Sequence, residues 1–358
     1  MLDPVTPFKS LVSGILAENP CEQHLDLRFT DCRIRVRSNS ALLLTALARY
    51  FGRFVEYNFT HDFEVLAVDA PSPRFDLPFQ PRTPDPGKSK IKEEFRDLPD
   101  GRVIRKRLTG MVFFVSPCAN LGVGRCVRNE SQVVNFIISR YLQWLLHQGG
   151  VLAHAAAVVH RRRGLALAGF SGMGKSSLAL HLISQGMHFA SNDRLVVRQT
   201  PAGPVLHGVP KLPRINPGTA VGNPALHGVL SPEHLAAFRA LSEAELWSLE
   251  HKHDVLIDDV FGPDRIRLTA PMAALVILNW RRGAGALRAE RVDLGERRDL
   301  LRAFMKSTGL FYQPPSSNVG ENASEEEYLR ELEGCAVYEL GGGVDFDAAT
   351  SFCQGLLE

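Results

Sequence analysis

The octapeptide Gly169-Phe170-Ser171-Gly172-Met173-Gly174-Lys175-Ser176 constrains this chain more than any other segment. Its glycines reach backbone conformations closed to other residues, so successive N–H groups can turn inward on an anion. Such a loop works between a strand and a helix, because the helix N-terminus adds its own partial positive charge. The flanks comply: "GLALA" is an apolar strand candidate leading in, and "SLALHLIS" is a helix candidate leading out to about Gln185. Lys175 then meets the β- and γ-phosphates of a nucleotide, and the Ser176 hydroxyl can ligate Mg²⁺. Gly169, Ser171, Gly172, Met173, Gly174, Lys175, Ser176 and Ser177 are the expected nucleotide-binding residues.

A chain of 358 residues can bury a large core and is expected to hold two domains. With 41 basic against 39 acidic residues, no global attraction to nucleic acid or to an anionic membrane is expected. The run Arg161-Arg162-Arg163 lies between two apolar strands and reads as a solvated turn. Six cysteines are scattered without C-x-x-C pairs or histidine partners, which fits neither a zinc site nor a disulfide framework. Reduced thiols in a cytoplasmic protein are the expectation, and "MLDPVTPFKS" has no secretory pattern. The apolar stretch "VVNFIISRYLQWLLHQ" is interrupted by Asn135 and Arg140 and is short for a bilayer crossing, so it reads as a buried helix.

The composition of elements divides the chain. Residues 1–128 read as a small α+β domain: "LDLRFTDCRIRVRS" alternates with a strand period, "NSALLLTALARYFGRF" has a helix-start signal, and "GMVFFVS" is a further strand. Within it, 71–90 is proline-rich and reads as an exposed loop. Residues 129–358 alternate strands and helices and read as an α/β domain, opened by a capping box at Asn129 and Gln132. In it "VLAHAAAVV" is one strand candidate, followed by the arginine turn and the strand into the glycine loop.

The flanks of the loop carry a family signature. His154 precedes the loop on a strand, and Asn192-Asp193 follows Lys175 at the end of a short strand, "FAS". This arrangement resembles the catalytic domain of HPr kinase/phosphorylase and its bacterial relatives, specifically over about 150–197. The resemblance implies a fold related to phosphoenolpyruvate carboxykinase and a phosphotransferase using ATP and Mg²⁺. It implies that His154 lines the phosphate site, Lys175 holds the β/γ-phosphates, and Ser176 and Asp193 bind the metal. The acceptor would be a serine of a partner protein or a small-molecule hydroxyl, and a homo-oligomer is expected by the same analogy.

One position departs from that pattern. The family's first acid, a base toward the acceptor and an acid in the reverse phosphorolysis, is Asn192 here. A carboxamide takes up no proton at neutral pH. Asn192 orients the acceptor while proton transfer comes late, or His154, Asp193 or Asp254 is the base, or the site senses ATP without transferring it. A working kinase without efficient phosphorolysis is the favoured expectation; a generic P-loop ATPase or small-molecule kinase and a non-catalytic sensor are the alternatives. The stiff loop "VPKLPRINPGTA" offers Lys211 and Arg214, with Arg214 the expected charge clamp on the transferring group. In "HKHDVLIDD", His251 and His253 lack a third ligand at metal spacing, and Val255–Asp258 imitates a strand ending in a Mg²⁺-site aspartate.

Overall fold

The computed structural model describes residues 8–57, 59–74, 78–84, 89–315 and 322–358. The chain falls into two compact units, Met1–His147 with Thr308–Glu321, and Gln148–Ser307 with Asn322–Glu358. Both mix helices with a sheet, so the chain is α/β with more than one sheet. The first seven residues of the N-terminal decapeptide, and 75–77 and 85–88 of the proline-rich loop, lie outside the described residues.

The first unit carries strands β1 (Gln23–Phe29), β2 (Cys32–Ser38), β3 (Phe63–Asp69), β4 (Gln80–Pro81), β5 (Glu93–Leu98), β6 (Gly101–Lys106), β7 (Val112–Val115) and β8 (Asn120–Gly124). They form one sheet in the order β1-β2-β3-β8-β7-β6-β5-β4. The alternation read in the sequence is the β1–β2 hairpin: Leu27 pairs with Ile34 and Phe29 with Cys32, all fully buried. Its helices are α1 (Phe8–Glu18), α2 (Ala41–Phe51) and α3 (Glu130–His147). Ser40 caps α2 by accepting the Leu43 N–H. The proline-rich segment is not wholly loop, because Gln80–Pro81 adds an exposed edge strand to β5, a place where proline's missing N–H does no harm.

Helix α3, read from sequence as the start of the second domain, belongs to the first unit by compactness. It buries Val133, Phe136, Ile137 and Tyr141 among others. The Asn129 side chain donates backwards to the Arg125 carbonyl, and among the described residues no capping-box hydrogen bond joins it to Gln132. No described helix is long and apolar enough to cross a membrane, and all six cysteines are free thiols.

The second unit contains β9 (Val151–Ala153), β10 (Ala155–His160), β11 (Arg163–Gly169), β12 (His188–Ser191), β13 (Leu195–Thr200), β14 (Gly203–His207), β15 (Arg214–Ile215), β16 (His253–Asp254), β17 (Thr269–Leu278), β18 (Leu287–Arg291) and β19 (Ala336–Gly342). All but β15 and β16, which pair with each other, join one sheet. Its helices are α4 (Lys175–Ser184), α5 (Pro217–Val221), α6 (Pro232–Arg239), α7 (Glu243–Ser248), α8 (Ile257–Phe261), α9 (Arg298–Phe304), α10 (Glu325–Glu331) and α11 (Phe346–Gly355). The sheet is mixed: β11 runs parallel to β17 and antiparallel to β10, while β14 pairs antiparallel with β17. Arg161 and Arg162 make the exposed two-residue turn of the β10–β11 hairpin, both at positive φ. The core beneath the site is apolar throughout, built from residues such as Ala155, Ala166, Leu195, Leu275 and Phe304.

Segment 255–261 is not the strand that its sequence imitates. Its residues Ile257–Phe261 form the short helix α8, and Asp258 accepts the Arg265 N–H. The aspartate thus sits in a local turn, and the all-parallel arrangement of an ordinary P-loop ATPase is not the one found here.

Candidate active site

Strand β11 ends at Gly169 beside the end of β17, and the glycine loop then turns into α4. Gly172 and Gly174 hold φ of 86° and 89°. Gly174 is the left-handed N-cap of α4, a conformation that L side chains adopt only under strain. The N–H groups of Ser171, Gly172, Gly174, Lys175 and Ser176 have no backbone acceptor among the described residues. They are the orphan donors expected of a helix N-terminus and an anion-binding nest.

Lys175 folds over this loop. Its ammonium donates to the carbonyls of Gly169 at 2.7 Å and Phe170 at 3.2 Å, and the residue is 8% exposed. Burial pushes its pKa down to about 8; Asp193 opposes that shift and Lys306 adds to it.

Asp193 lies in the bend between β12 and β13. Its Oδ1 is 3.1 Å from His154 Nε2, and its Oδ2 is 3.1 Å from Lys306 Nζ. Burial alone would raise its pKa, but the His154 hydrogen bond and the Lys306 charge prevail and hold the carboxyl well below the usual carboxylate range. Asp193 is therefore an anion at any physiological pH.

His154 sits where the expected single strand "VLAHAAAVV" breaks in two. Residues before it pair with β13, and residues after it pair with β11 and β12. Its own N–H donates to the Phe304 carbonyl at 2.7 Å. That bond, with the Ala153–Met305 bridge, ties the break to the end of α9 and brings Lys306 alongside. The buried Tyr328 hydroxyl finishes the tie, accepting the Lys306 N–H at 3.0 Å and donating to the Leu152 carbonyl.

Lys306 was not legible in the sequence as a site residue. A lysine just past a helix C-terminus is ordinary, since it complements the helix dipole there. Only the tertiary pairing of the 304–306 segment with β9 gives it a role.

The basic loop after β14 divides. Gly208 packs so tightly on β12 that an added Cβ would come within 2.0 Å of the Ala190 carbonyl oxygen. This close approach brings Lys211 into the cluster: burial lowers its pKa to about 8, and the charges of Arg194, Lys306 and Arg214 add to that, with Asp193 opposing. Arg214, expected as the clamp on the transferring group, is engaged by a carboxylate. It is exposed on the β15–β16 pair and ion-paired to Asp254 at 2.9 Å, so its charge is already matched.

The remaining expected positions are mixed. Gly169, Ser171, Gly172, Gly174 and Ser176 line the loop as its geometry requires, but the Met173 N–H is turned back onto the Phe170 carbonyl at 3.2 Å. Ser177 is buried and shares a hydrogen bond of 2.9 Å with Thr219, away from the loop's orphan donors. The Asn192 side chain makes no hydrogen bond among the described residues, which leaves its carboxamide available to a ligand.

A Mg²⁺ carried by a triphosphate needs hard oxygen donors and takes few from protein. Ionised Asp193 and the Ser176 hydroxyl, which makes no hydrogen bond among the described residues, fit that requirement. His251 and His253 face each other edge to face at 4.6 Å, and among the described residues no group of three or more metal-ligating side chains is arranged to hold an ion.

No family model and no curated protein matches the chain. Among solved structures, the HPr(Ser) kinase/phosphatase from Coxiella burnetii is similar at 10% identity and a TM-score of 0.29. The match covers 57% of this chain and 88% of that one. A likeness that loose decides neither fold nor activity.

Proposed function

We propose that the second unit is an ATP- and Mg²⁺-dependent kinase that transfers the γ-phosphoryl group to a hydroxyl, of a protein serine or of a small molecule. The observation that supports it is the four-residue cluster at the loop: buried Lys175 beside Asp193, which is held between His154 and Lys306. A structural salt bridge would not require an adjoining row of unpartnered main-chain N–H groups.

The roles follow from charge and geometry. The loop N–H groups and Lys175 hold the polyphosphate. Lys306, and Lys211 near it, neutralise charge that develops on the phosphoryl oxygens in transfer. Asp193 and Ser176 are the residues that would hold Mg²⁺, which would supply further charge neutralisation.

Asp193 is a poor base, because its conjugate acid is far too strong. His154 is the better one. Donation of Nε2–H to Asp193 fixes the tautomer and leaves the Nδ1 lone pair to take the acceptor's proton. The acceptor oxygen then bonds to the γ-phosphorus as the bridging P–O bond breaks and ADP leaves. Asn192, with an unengaged carboxamide, orients the acceptor.

Incubation with γ-labelled ATP and candidate acceptors tests this reading. Label transfer by the native chain and its loss in Lys175→Ala support it. Tight ATP binding with no transfer, the true partner having been supplied, would replace it with an ATP sensor.

A further inference from the structure

A cavity of about 310 Å³ opens against the first turn of α4, within the second unit. The residues lining it include Ser177, Thr219, His181, Phe346, Asp345 and Asp347. None of His154, Lys175, Asp193 or Lys306 lines it. Its volume is at the lower end of ligand pockets, which run from about 300 to 1,000 Å³.

This cavity is joined to the glycine loop. The Phe346 ring lies over Gly174, whose added Cβ would meet it at 3.1 Å. Trp280 packs edge-on to Phe346 at 5.3 Å and donates its indole N–H to the Met173 carbonyl at 2.8 Å. His181 and Phe346 stack within 9° of parallel.

The geometry points to this cavity as the nucleoside subsite: it takes the base against the aromatic wall and the sugar hydroxyls on Asp345 and Asp347. This inference rests on the kinase reading, whose phosphates occupy the loop. The two ends of the nucleotide are sorted by charge. The lysine-rich side, with Lys175, Lys211 and Lys306, takes the terminal phosphates. The cavity with two carboxylates repels phosphate and accepts hydroxyl donors. Asp345 Oδ1 already accepts two N–H groups as the N-cap of α11, which fixes its carboxylate in place. A planar base suits a wall of flat rings.

Calorimetric titration of the full chain with Mg·ATP and with Mg·tripolyphosphate tests the assignment. The native chain is expected to bind ATP at least about tenfold more tightly than tripolyphosphate, a gap of about 1.4 kcal/mol. Val344→Trp, which places bulk in the cavity that Val344 lines, is expected to close most of that gap with tripolyphosphate binding unchanged. Retained tripolyphosphate binding also reports a folded loop. A second comparison does not depend on that variant: 2′,3′-dideoxy-ATP should bind the native chain several-fold more weakly than ATP, and Asp347→Ala, which removes one of the two acceptors, should narrow that difference.

Equal affinity of the native chain for ATP and tripolyphosphate, or full ATP affinity in Val344→Trp, would overturn the subsite while leaving the phosphate loop standing. If the native chain binds neither ligand, the kinase reading itself falls.

Discussion

Lys306 Nζ and Asp193 Oδ2 stand 3.1 Å apart across 113 residues of sequence, a contact that adds a second lysine to the cluster of Lys175 and Asp193. The pair is only partly shielded, with side-chain exposures of 22% and 48%, so it remains open to a ligand. In isolation such a pair contributes little to stability. Its value lies in presenting a lysine beside the loop.

Replacing that lysine therefore separates binding from transfer. Lys306→Met is expected to keep ATP affinity within a few-fold and to lower the transfer rate by about 10²–10³, the cost of removing one charge-stabilising donor. Lys175→Met should lose both. Single-turnover transfer and calorimetry on the two variants check this; equal loss of binding in both would place Lys306 on the ground-state phosphates.

Tyr328 positions Lys306. Its hydroxyl is buried and bridges the Leu152 carbonyl to the Lys306 N–H, so Tyr328→Phe leaves both groups short of a partner. A loss of about 1–3 kcal/mol is expected. Thermal unfolding measures that loss. A lower transfer rate with unchanged ATP affinity, below the melting transition, distinguishes positioning from mere destabilisation.

Titration of the lysines sets a pH limit. Lys175 and Lys211 both ionise near about 8 in the free protein. A polyanion favours their charged forms, so affinity for tripolyphosphate should be flat below that pH and should fall above it. The opposite slope holds for the stability of the free protein. The unfolded chain, with an ordinary lysine pKa of about 10.4, binds more protons than the folded one between about 8 and 10.4. Stability should rise with pH in that window, and Lys175→Met should weaken the rise.

The strands and helices around the loop were legible because their causes are local. Alternation marked β1 and β2, the Asn39-Ser40 start signal marked α2, and the glycines marked the turn into α4. The site itself was legible only in half. His154 and Asp193 could be named, but not that the strand breaks at His154, since "VLAHAAAVV" is apolar on both sides and the break is imposed by the bond to Phe304. Lys306 arrives through that same tertiary contact. For Arg214 the stiff loop shows that a charge is presented, whereas its partner Asp254 is set by the pairing of β15 with β16, distant in sequence.

The proposed kinase carries a carboxamide, not an acid, at Asn192, and this bears on its reverse reaction. With no proton donor at this position, only His154, the proposed base, is left to return the proton to the leaving hydroxyl, and the native chain is expected to show at most weak phosphorolysis of its phosphorylated product. Asn192→Asp places a second carboxyl beside Asp193, where like-charge repulsion raises the pKa of one of the two. Appearance of pyrophosphate in the variant, measured with phosphorylated product and inorganic phosphate, is the expected result. Robust pyrophosphate formation by the native chain would show that another group supplies the proton.

The most direct test is a crystal structure of the chain with Mg²⁺ and a non-hydrolysable ATP analogue. The account predicts the β- and γ-phosphates on the N–H groups of Ser171, Gly172, Gly174, Lys175 and Ser176, with γ-phosphate oxygens within about 4 Å of Lys175 Nζ, the reach of an ion pair, and the γ-phosphate facing Lys306 and His154. Phosphates bound elsewhere, or a γ-phosphate turned away from Lys306 and His154, would contradict it.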